Sequence, residues 1–175
     1  MARRSSQFQH RRAAGIDPRD VPWIVTLLAF AALCAAWLAQ YAFGLAPCEL
    51  CYWQRYGYWA VIVLGVIAGF FSRRPKTRKF WLYLTGAALL GVVGIAVFHV
   101  GVEHGWWQGT AACVGASTAG MTTEELTKAI MEAPVTRCDQ PAFEFLGISM
   151  AGYDAIYAAL LAWFTLWGAT RRVHR

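Results

Sequence analysis

Four stretches of this chain are almost free of charge, and polar segments separate them. The first, residues 22–43, carries no charged side chain. The second, 52–71, holds only Arg55 near its start, and the third, 80–102, holds none, although it includes His99. The fourth, 151–170, holds only Asp154 near its beginning. Crossing a bilayer takes about 20 residues as a helix, and a backbone in lipid must bond internally. The pattern therefore predicts an all-α membrane protein, a bundle of four transmembrane helices forming one domain over residues 1–175. A basic arm (1–21) precedes the bundle. A short outer loop joins the first two helices, and a long outer loop (103–150) joins the last two. The first stretch is predicted to stay as a spanning helix, because 22–43 exceeds the roughly 7–15 apolar residues of a signal-peptide core.

The long outer loop has a pattern of its own. Thr122 and Glu125 have the spacing of a capping box, Leu126, Ile130 and Ala133 fall on one face, and Pro134 is a stop. This predicts a short amphipathic helix from Thr122 to Met131, lying on the membrane surface or on the bundle. Gly105-Trp-Trp-Gln-Gly109 reads as an interfacial aromatic anchor. The Gly, Ser and Thr residues of 114–120 predict a mobile stretch beside Cys113.

Composition agrees with the pattern. The chain is 58% apolar and 15% charged, where soluble domains carry about a quarter charged residues. The net charge of +6 is a matter of topology. Thirteen of the 16 basic residues lie in the N-terminal arm, the loop from Arg73 to Lys79 and the C-terminal tail, all on one side if each stretch spans once. The positive-inside rule makes that side cytoplasmic. Both termini are then inside, and nucleic-acid binding is a poor explanation of the charge.

That topology sorts the five cysteines. Cys34 falls near mid-membrane, about 18 Å along the first helix, where a lone thiol acts as a small hydrophobe. Cys48 and Cys51 lie in the short outer loop, in Pro47-Cys-Glu-Leu-Cys-Tyr-Trp-Gln-Arg55, and Cys113 and Cys138 lie in the long one. Four cysteines on the outer side fit an oxidising compartment such as the bacterial periplasm. Three readings compete for them. Zinc sites favour two close pairs, whereas 24 residues separate Cys113 from Cys138, so no metal is expected. A structural disulfide between Cys113 and Cys138 would close a long exposed loop. A structural bond between Cys48 and Cys51 closes a tiny loop and stabilises little, so a redox relay leads.

The positions around the pair support that chemistry. Cys51 falls just before or in the first turn of the second helix, where free amide N–H groups and the helix dipole favour a thiolate. Arg55, four residues on, shares its face and is a candidate for stabilising that thiolate and a quinone-type oxygen, against the bland role of an interface anchor. His99 is a second candidate for a ligand carbonyl, against an interhelical hydrogen bond. Asp154 reads as a cap for the fourth helix. His104, beside Trp106, reads as exposed. Trp53, Tyr56, Tyr58 and Trp59 read as belt and core.

The run Pro47-Cys-Glu-Leu-Cys-x-x-x-Arg55 after a first membrane helix resembles the signature of the DsbB family, quinone-reducing thiol oxidases of bacterial inner membranes. His99-Val-Gly-Val-Glu103, Gly-Trp-Trp, Cys113, Cys138 and Phe145-Leu-Gly-Ile-Ser-Met150 agree with it. The resemblance omits the basic arm and Cys34. It implies a membrane protein-disulfide oxidoreductase with both cysteine pairs facing the periplasm. A reduced thioredoxin-fold, DsbA-like partner would attack the Cys113–Cys138 disulfide at Cys113. Cys138 would then attack Cys48, leaving Cys51 as a thiolate facing ubiquinone or menaquinone, with Arg55 and His99 contacting the quinone. A DsbA-like partner near −120 mV cannot deliver electrons to a glutathione-type pool near −220 mV without roughly 4.6 kcal/mol uphill. No G-x-G-x-x-G motif marks a nicotinamide site. Two alternatives stand beside this reading. One is an enzyme resembling vitamin K epoxide reductase, in which the C-x-x-C pair lies near a later helix. The other is a non-enzymatic scaffold with structural disulfides.

Overall fold

Proline sets two of the helix starts. Pro22 lies in the first turn of helix α1 (Val21–Ala42), and Pro75 opens α3 (Pro75–Glu103), positions where a missing N–H costs nothing. The computed structural model describes residues 16–110, 113, 122–132 and 136–171. Its other helices are α2 (Glu49–Phe70), α4 (Thr123–Glu132) and α5 (Met150–Thr170), with two short strands, β1 (Glu144–Phe145) and β2 (Ile148–Ser149).

The ends of these elements are chemically defined. Helix α3 stops in a Schellman motif: Gly105 takes φ +68°, Trp106 N–H reaches the Gly101 carbonyl at 2.8 Å, and Gly105 N–H reaches that of Val102 at 3.1 Å. Helix α5 begins at Ser149, whose Oγ accepts from Gly152 N–H at 3.1 Å. The strands form an antiparallel hairpin pairing Glu144 with Ser149 and Phe145 with Ile148. Its two-residue turn, Leu146-Gly147, has both φ values positive (51° and 75°), as the primed turns that suit strand twist require.

Helix α3 lies at the centre, packed on α2 and α5, and α1 packs on α2. Helices α1 and α5 meet only sparingly, so the bundle has one open seam. Val25, Ala29 and Leu33 of α1, Tyr58, Val61 and Ala68 of α2, Leu82, Leu89 and Val92 of α3, and Ala158, Leu161 and Ala162 of α5 form the main core. Small residues bring backbones close: a Cβ on Gly65 would strike Thr26, and one on Gly168 would strike Val21. The outer faces also carry large apolar groups, among them Leu27, Leu38, Val63, Phe70, Leu90, Leu160 and Trp163. A helix apolar all round suits lipid or a larger core. Among the described residues, α1 and α3 are long and apolar enough to cross a membrane by length and composition. Helices α2 and α5 are richer in Tyr, Trp and Gly.

Five expectations need correction. Helix α2 begins at Glu49 rather than Tyr52, and α3 at Pro75 rather than Phe80. Glu49 puts a charge in the extra turn of α2, and Lys76, Arg78 and Lys79 do so in that of α3, so both fall outside an uncharged window. The long loop is not wholly α, since it contains the β1–β2 hairpin. Cys34 is exposed on the bundle surface rather than buried in it. Asp154 is the fifth residue of α5 and does not cap it; Ser149 does. The loop helix falls where the capping box put it. Thr122 N–H and Oγ1–H donate to Glu125 Oε2 at 2.8 and 2.9 Å, and Glu125 N–H returns to Thr122 Oγ1 at 3.4 Å. Residues 114–120 and 133–134, and the arm 1–15, lie outside the described residues.

Candidate thiol–disulfide site

Cys48 is the N-cap of α2 and Cys51 is in its first turn. One helical turn brings their sulfurs to 3.1 Å, in hydrogen-bond contact. Cys113 and Cys138 are joined as a disulfide, and Cys138 N–H also donates to the Cys113 carbonyl at 3.0 Å. Both loop cysteines are fully buried, against Cys48, Leu50 and Val102, with Cys51 and Phe98 alongside. The four sulfurs therefore share one cluster. The sequence put the pair in a long exposed loop beside a mobile stretch, whereas the structure seats it on the α2 N-terminus.

Glu49, inside the C-x-x-C run, explains the seating. Its Oε2 accepts from Thr110 Oγ1 at 2.6 Å and lies 3.7 Å from Cys113 Sγ. Trp107 pins the start of the same loop by stacking on Phe98, ring centroids 5.7 Å apart, while its Nε1–H donates to the Phe98 carbonyl at 2.8 Å.

His99 comes from α3 and is buried beside Cys48, with Nε2 3.5 Å from Cys48 Sγ and 3.7 Å from Glu103 Oε1. The ring N atoms of His99, the Cys48 sulfur and the Cys138 sulfur include a set of atoms all within 4.8 Å of one another. Glu103 in turn accepts from Ser149 Oγ–H at 2.5 Å. A chain of polar groups thus runs from Cys48 through His99 and Glu103 to the start of α5. The Cys48 thiol is held well below its ordinary value, at about 4, chiefly by the hydrogen bond from Cys51, with His99 assisting and burial opposing. In the free dithiol the anion of the pair is thus favoured at the N-cap position, Cys48. Two thiols in such contact titrate as a pair.

Arg55 is half-buried on the cleft side of α2, yet it points to α1. Its Nη1 donates to Gln40 Oε1 at 2.6 Å and its Nη2 to the Ala36 carbonyl at 3.1 Å, with the guanidinium 5.6 Å from the Tyr52 ring centroid. It ties α1 to α2 while remaining on the wall of a cleft of about 620 Å³. That cleft occupies the open seam between α1 and α5. Ala32, Ala35 and Ala39 of α1 and Ile156, Tyr157 and Leu160 of α5 form its apolar sides. Cys48, Cys51, Arg55 and His99 all line it. Along α2, Cys51, Gln54, Arg55 and Tyr58 follow i, i+3, i+4, i+7 spacing, so one helical stripe faces the cleft.

Several residues of this site escaped the sequence reading. Gln40 carries no motif signal, and Glu49, Glu103 and Ser149 lie inside the quoted runs but were given no role there. Asp154 was visible but misassigned as a cap; Tyr58 is in the core as read, and its O–H also donates to Asp154 Oδ1 at 2.6 Å across α2 and α5.

Four sulfurs gathered at one end of an apolar helical bundle, above a cleft open along its side, define a helical membrane protein of disulfide chemistry. A family profile described as "Disulfide bond formation protein DsbB" matches residues 18–168. The chain belongs to that family. It is 27% identical over 155 residues to a disulfide bond formation protein B of Acinetobacter baumannii, covering 85% of this chain and 89% of that one. A disulfide bond formation protein B of a Polaromonas species is 30% identical over 151 residues, 83% of this chain and 86% of that protein. An uncharacterized protein of Rickettsia prowazekii is 27% identical over 135 residues, 76% of this chain and 77% of that one. No solved structure matches the chain.

Proposed function

We propose that this protein is a thiol:quinone oxidoreductase of a bacterial inner membrane. It reoxidises a periplasmic, DsbA-like dithiol protein through Cys113/Cys138 and then Cys48/Cys51. In this reading all four long helices span the bilayer, both termini are cytoplasmic, and both cysteine pairs face the periplasm. The observation that carries it is the convergence of the Cys113–Cys138 disulfide on Cys48 at the mouth of the cleft.

The chemistry follows from the positions. Attack by a partner thiolate at Cys113 requires the loop to lift from Glu49, since both loop sulfurs are buried. The freed Cys138 is already beside Cys48 and is placed to attack it when Cys48 and Cys51 are joined, with Cys51 leaving as the thiolate. The α2 N-terminus favours sulfur anions throughout, and His99, 3.5 Å from Cys48 Sγ, is placed to take a proton from that thiol.

The cleft suits a quinone, ubiquinone or menaquinone. Its volume of about 620 Å³ lies in the usual range of small-molecule sites, and its sides are apolar. Three buried polar atoms on its wall, Gln54 Nε2, His99 Nδ1 and Asp154 Oδ2, have no partner among the described residues, as a ring bearing oxygens requires. When bound, a quinone supplies a sink for two electrons and two protons. Arg55 and His99 are the residues placed to meet its oxygens.

The test combines purified protein, a reduced DsbA-like dithiol protein and a short-chain quinone. Turnover is expected, and loss of it in Cys51→Ser. Normal turnover by Cys51→Ser would refute the relay, and labelling of Cys48 from the cytoplasmic side would refute the topology.

A further inference from the structure

Reducing a quinone consumes two protons as well as two electrons, and the thiol relay alone does not say how protons reach an oxygen deep in an apolar cleft. Two buried carboxyl groups line the cleft among the described residues: Glu103 of α3, already paired with Ser149 and His99, and Asp154 of α5. It sits one turn into α5, where a cap is not needed because Ser149 already serves. Its two oxygens differ. Oδ1 accepts from Tyr58 O–H at 2.6 Å, whereas buried Oδ2 has no partner among the described residues. An unpaired buried carboxyl oxygen costs free energy, and a membrane-embedded carboxyl group points to ion or proton traffic. Tyr58 fixes the group by one oxygen and leaves the other free on the cleft wall. Gln54, one turn before Tyr58 on the same stripe of α2, leaves its Nε2 unpaired there too.

We propose that Asp154 is the proton donor to the quinone in the cleft, with Tyr58 as its positioning residue. This inference rests on the quinone-linked reading above. A thiol, a thiolate, a quinone and one solvent proton yield a disulfide and a hydroquinone. Two electrons leave Cys48 and Cys51 as their S–S bond forms. Asp154 passes the Oδ2 proton to one quinone oxygen, and the second oxygen takes a proton from the cysteine side. Because Cys48 is already a thiolate, the reduced pair supplies one proton, from Cys51, and Asp154 regains its own from water at the mouth of the cleft, so the hydroquinone carries one proton from the pair and one from solvent. The groups facing Asp154 are Tyr58 on α2, His99 and Glu103 on α3, and Tyr157 on its own helix. Helix α1 presents only apolar residues to this part of the cleft.

The experiment compares wild type, Asp154→Asn and Asp154→Glu in two measurements. The first is binding of a short-chain quinone and of its hydroquinone to fully oxidised protein, followed by tryptophan fluorescence across pH. The second is single-turnover oxidation of the Cys48–Cys51 dithiol by quinone. Quinone binding that weakens as pH rises is expected in wild type and Asp154→Glu, with a flat profile in Asp154→Asn. The single-turnover rate of Asp154→Asn is expected to fall about 100-fold or more, the usual scale of general acid catalysis, with exchange at Cys113–Cys138 unchanged. A wild-type protein that reduces no quinone would overturn the functional reading itself. A wild type that does so, alongside an Asp154→Asn variant of unchanged rate and pH profile, would overturn only the role of Asp154. Should Asp154→Asn fail to fold, Tyr58→Phe carries the test: a shifted pH profile supports the proposal, and an unshifted one refutes it.

Discussion

Replacing Ser149 with alanine removes two interactions through one atom. The hydroxyl caps α5 by accepting from Gly152 N–H at 3.1 Å, and it donates to Glu103 Oε2. Loss of an N-cap costs about 1 kcal/mol. The second loss is larger in kind, because the Glu103 side chain is 4% exposed, and orphaning a buried charged acceptor costs about 1–3 kcal/mol. Ser149→Ala is therefore expected to lose about 2–4 kcal/mol, roughly 5–15 °C in Tm for a chain of this size, measured by circular dichroism in detergent. Ser149→Thr keeps both interactions and is expected to lose under about 1 kcal/mol. A cycle with Glu103→Met separates the contributions, since the double variant no longer buries an unpaired carboxylate. Its coupling energy is expected at about 1–3 kcal/mol. A Tm change under about 2 °C for Ser149→Ala, or zero coupling in the cycle, would show that water already satisfies Glu103 and that the polar chain to His99 is not closed.

Other outcomes follow from the same geometry. Reduced protein is expected to keep the ultraviolet absorbance of a thiolate from neutral pH downward. Because the Cys48 value is depressed, the anion persists until pH falls through about 4, and Cys48→Ser removes the signal; loss of absorbance through an ordinary thiol value near pH 8.5 would refute the assignment. Arg55→Ala frees Gln40 Oε1 and the Ala36 carbonyl, and a charged hydrogen bond contributes about 1.5–3 kcal/mol. The quinone KM is expected to rise on the order of tenfold or more, with loop exchange preserved and Arg55→Lys restoring part of the loss. A Cβ at Gly101 would collide with the Trp107 indole. Gly101→Ala is thus expected to cost about 1–3 kcal/mol of overpacking, read as a lower Tm and faster reduction of Cys113–Cys138 by an added dithiol.

Hydropathy made the long helices legible because a chain in lipid has few other options. It did not find the start of α2, because Glu49 puts a charge in the first turn and an uncharged window begins after it. Asp154 looked like a cap for the same reason: the apolar count began at Ala151, while the true cap, Ser149, belongs to the hairpin strand before it. The C-x-x-C run and Arg55 stood out in one dimension. The cleft did not, since it arises from which helices fail to touch, and the seam between α1 and α5 leaves no mark on either sequence. Glu49 with Thr110 and Glu103 with Ser149 join residues 61 and 46 positions apart, beyond the reach of periodicity.

The seam between α1 and α5 has a consequence for how affinity is measured. In the membrane placement proposed above, the slot faces acyl chains and is filled sideways, from the plane of the bilayer, so its occupancy follows the number of ligand molecules per lipid rather than per litre. A long isoprenoid tail then raises the local supply at the doorway without touching any wall of the slot. Adding micelles at fixed total ligand dilutes that supply and lowers the apparent affinity in proportion, although no contact within the protein has altered.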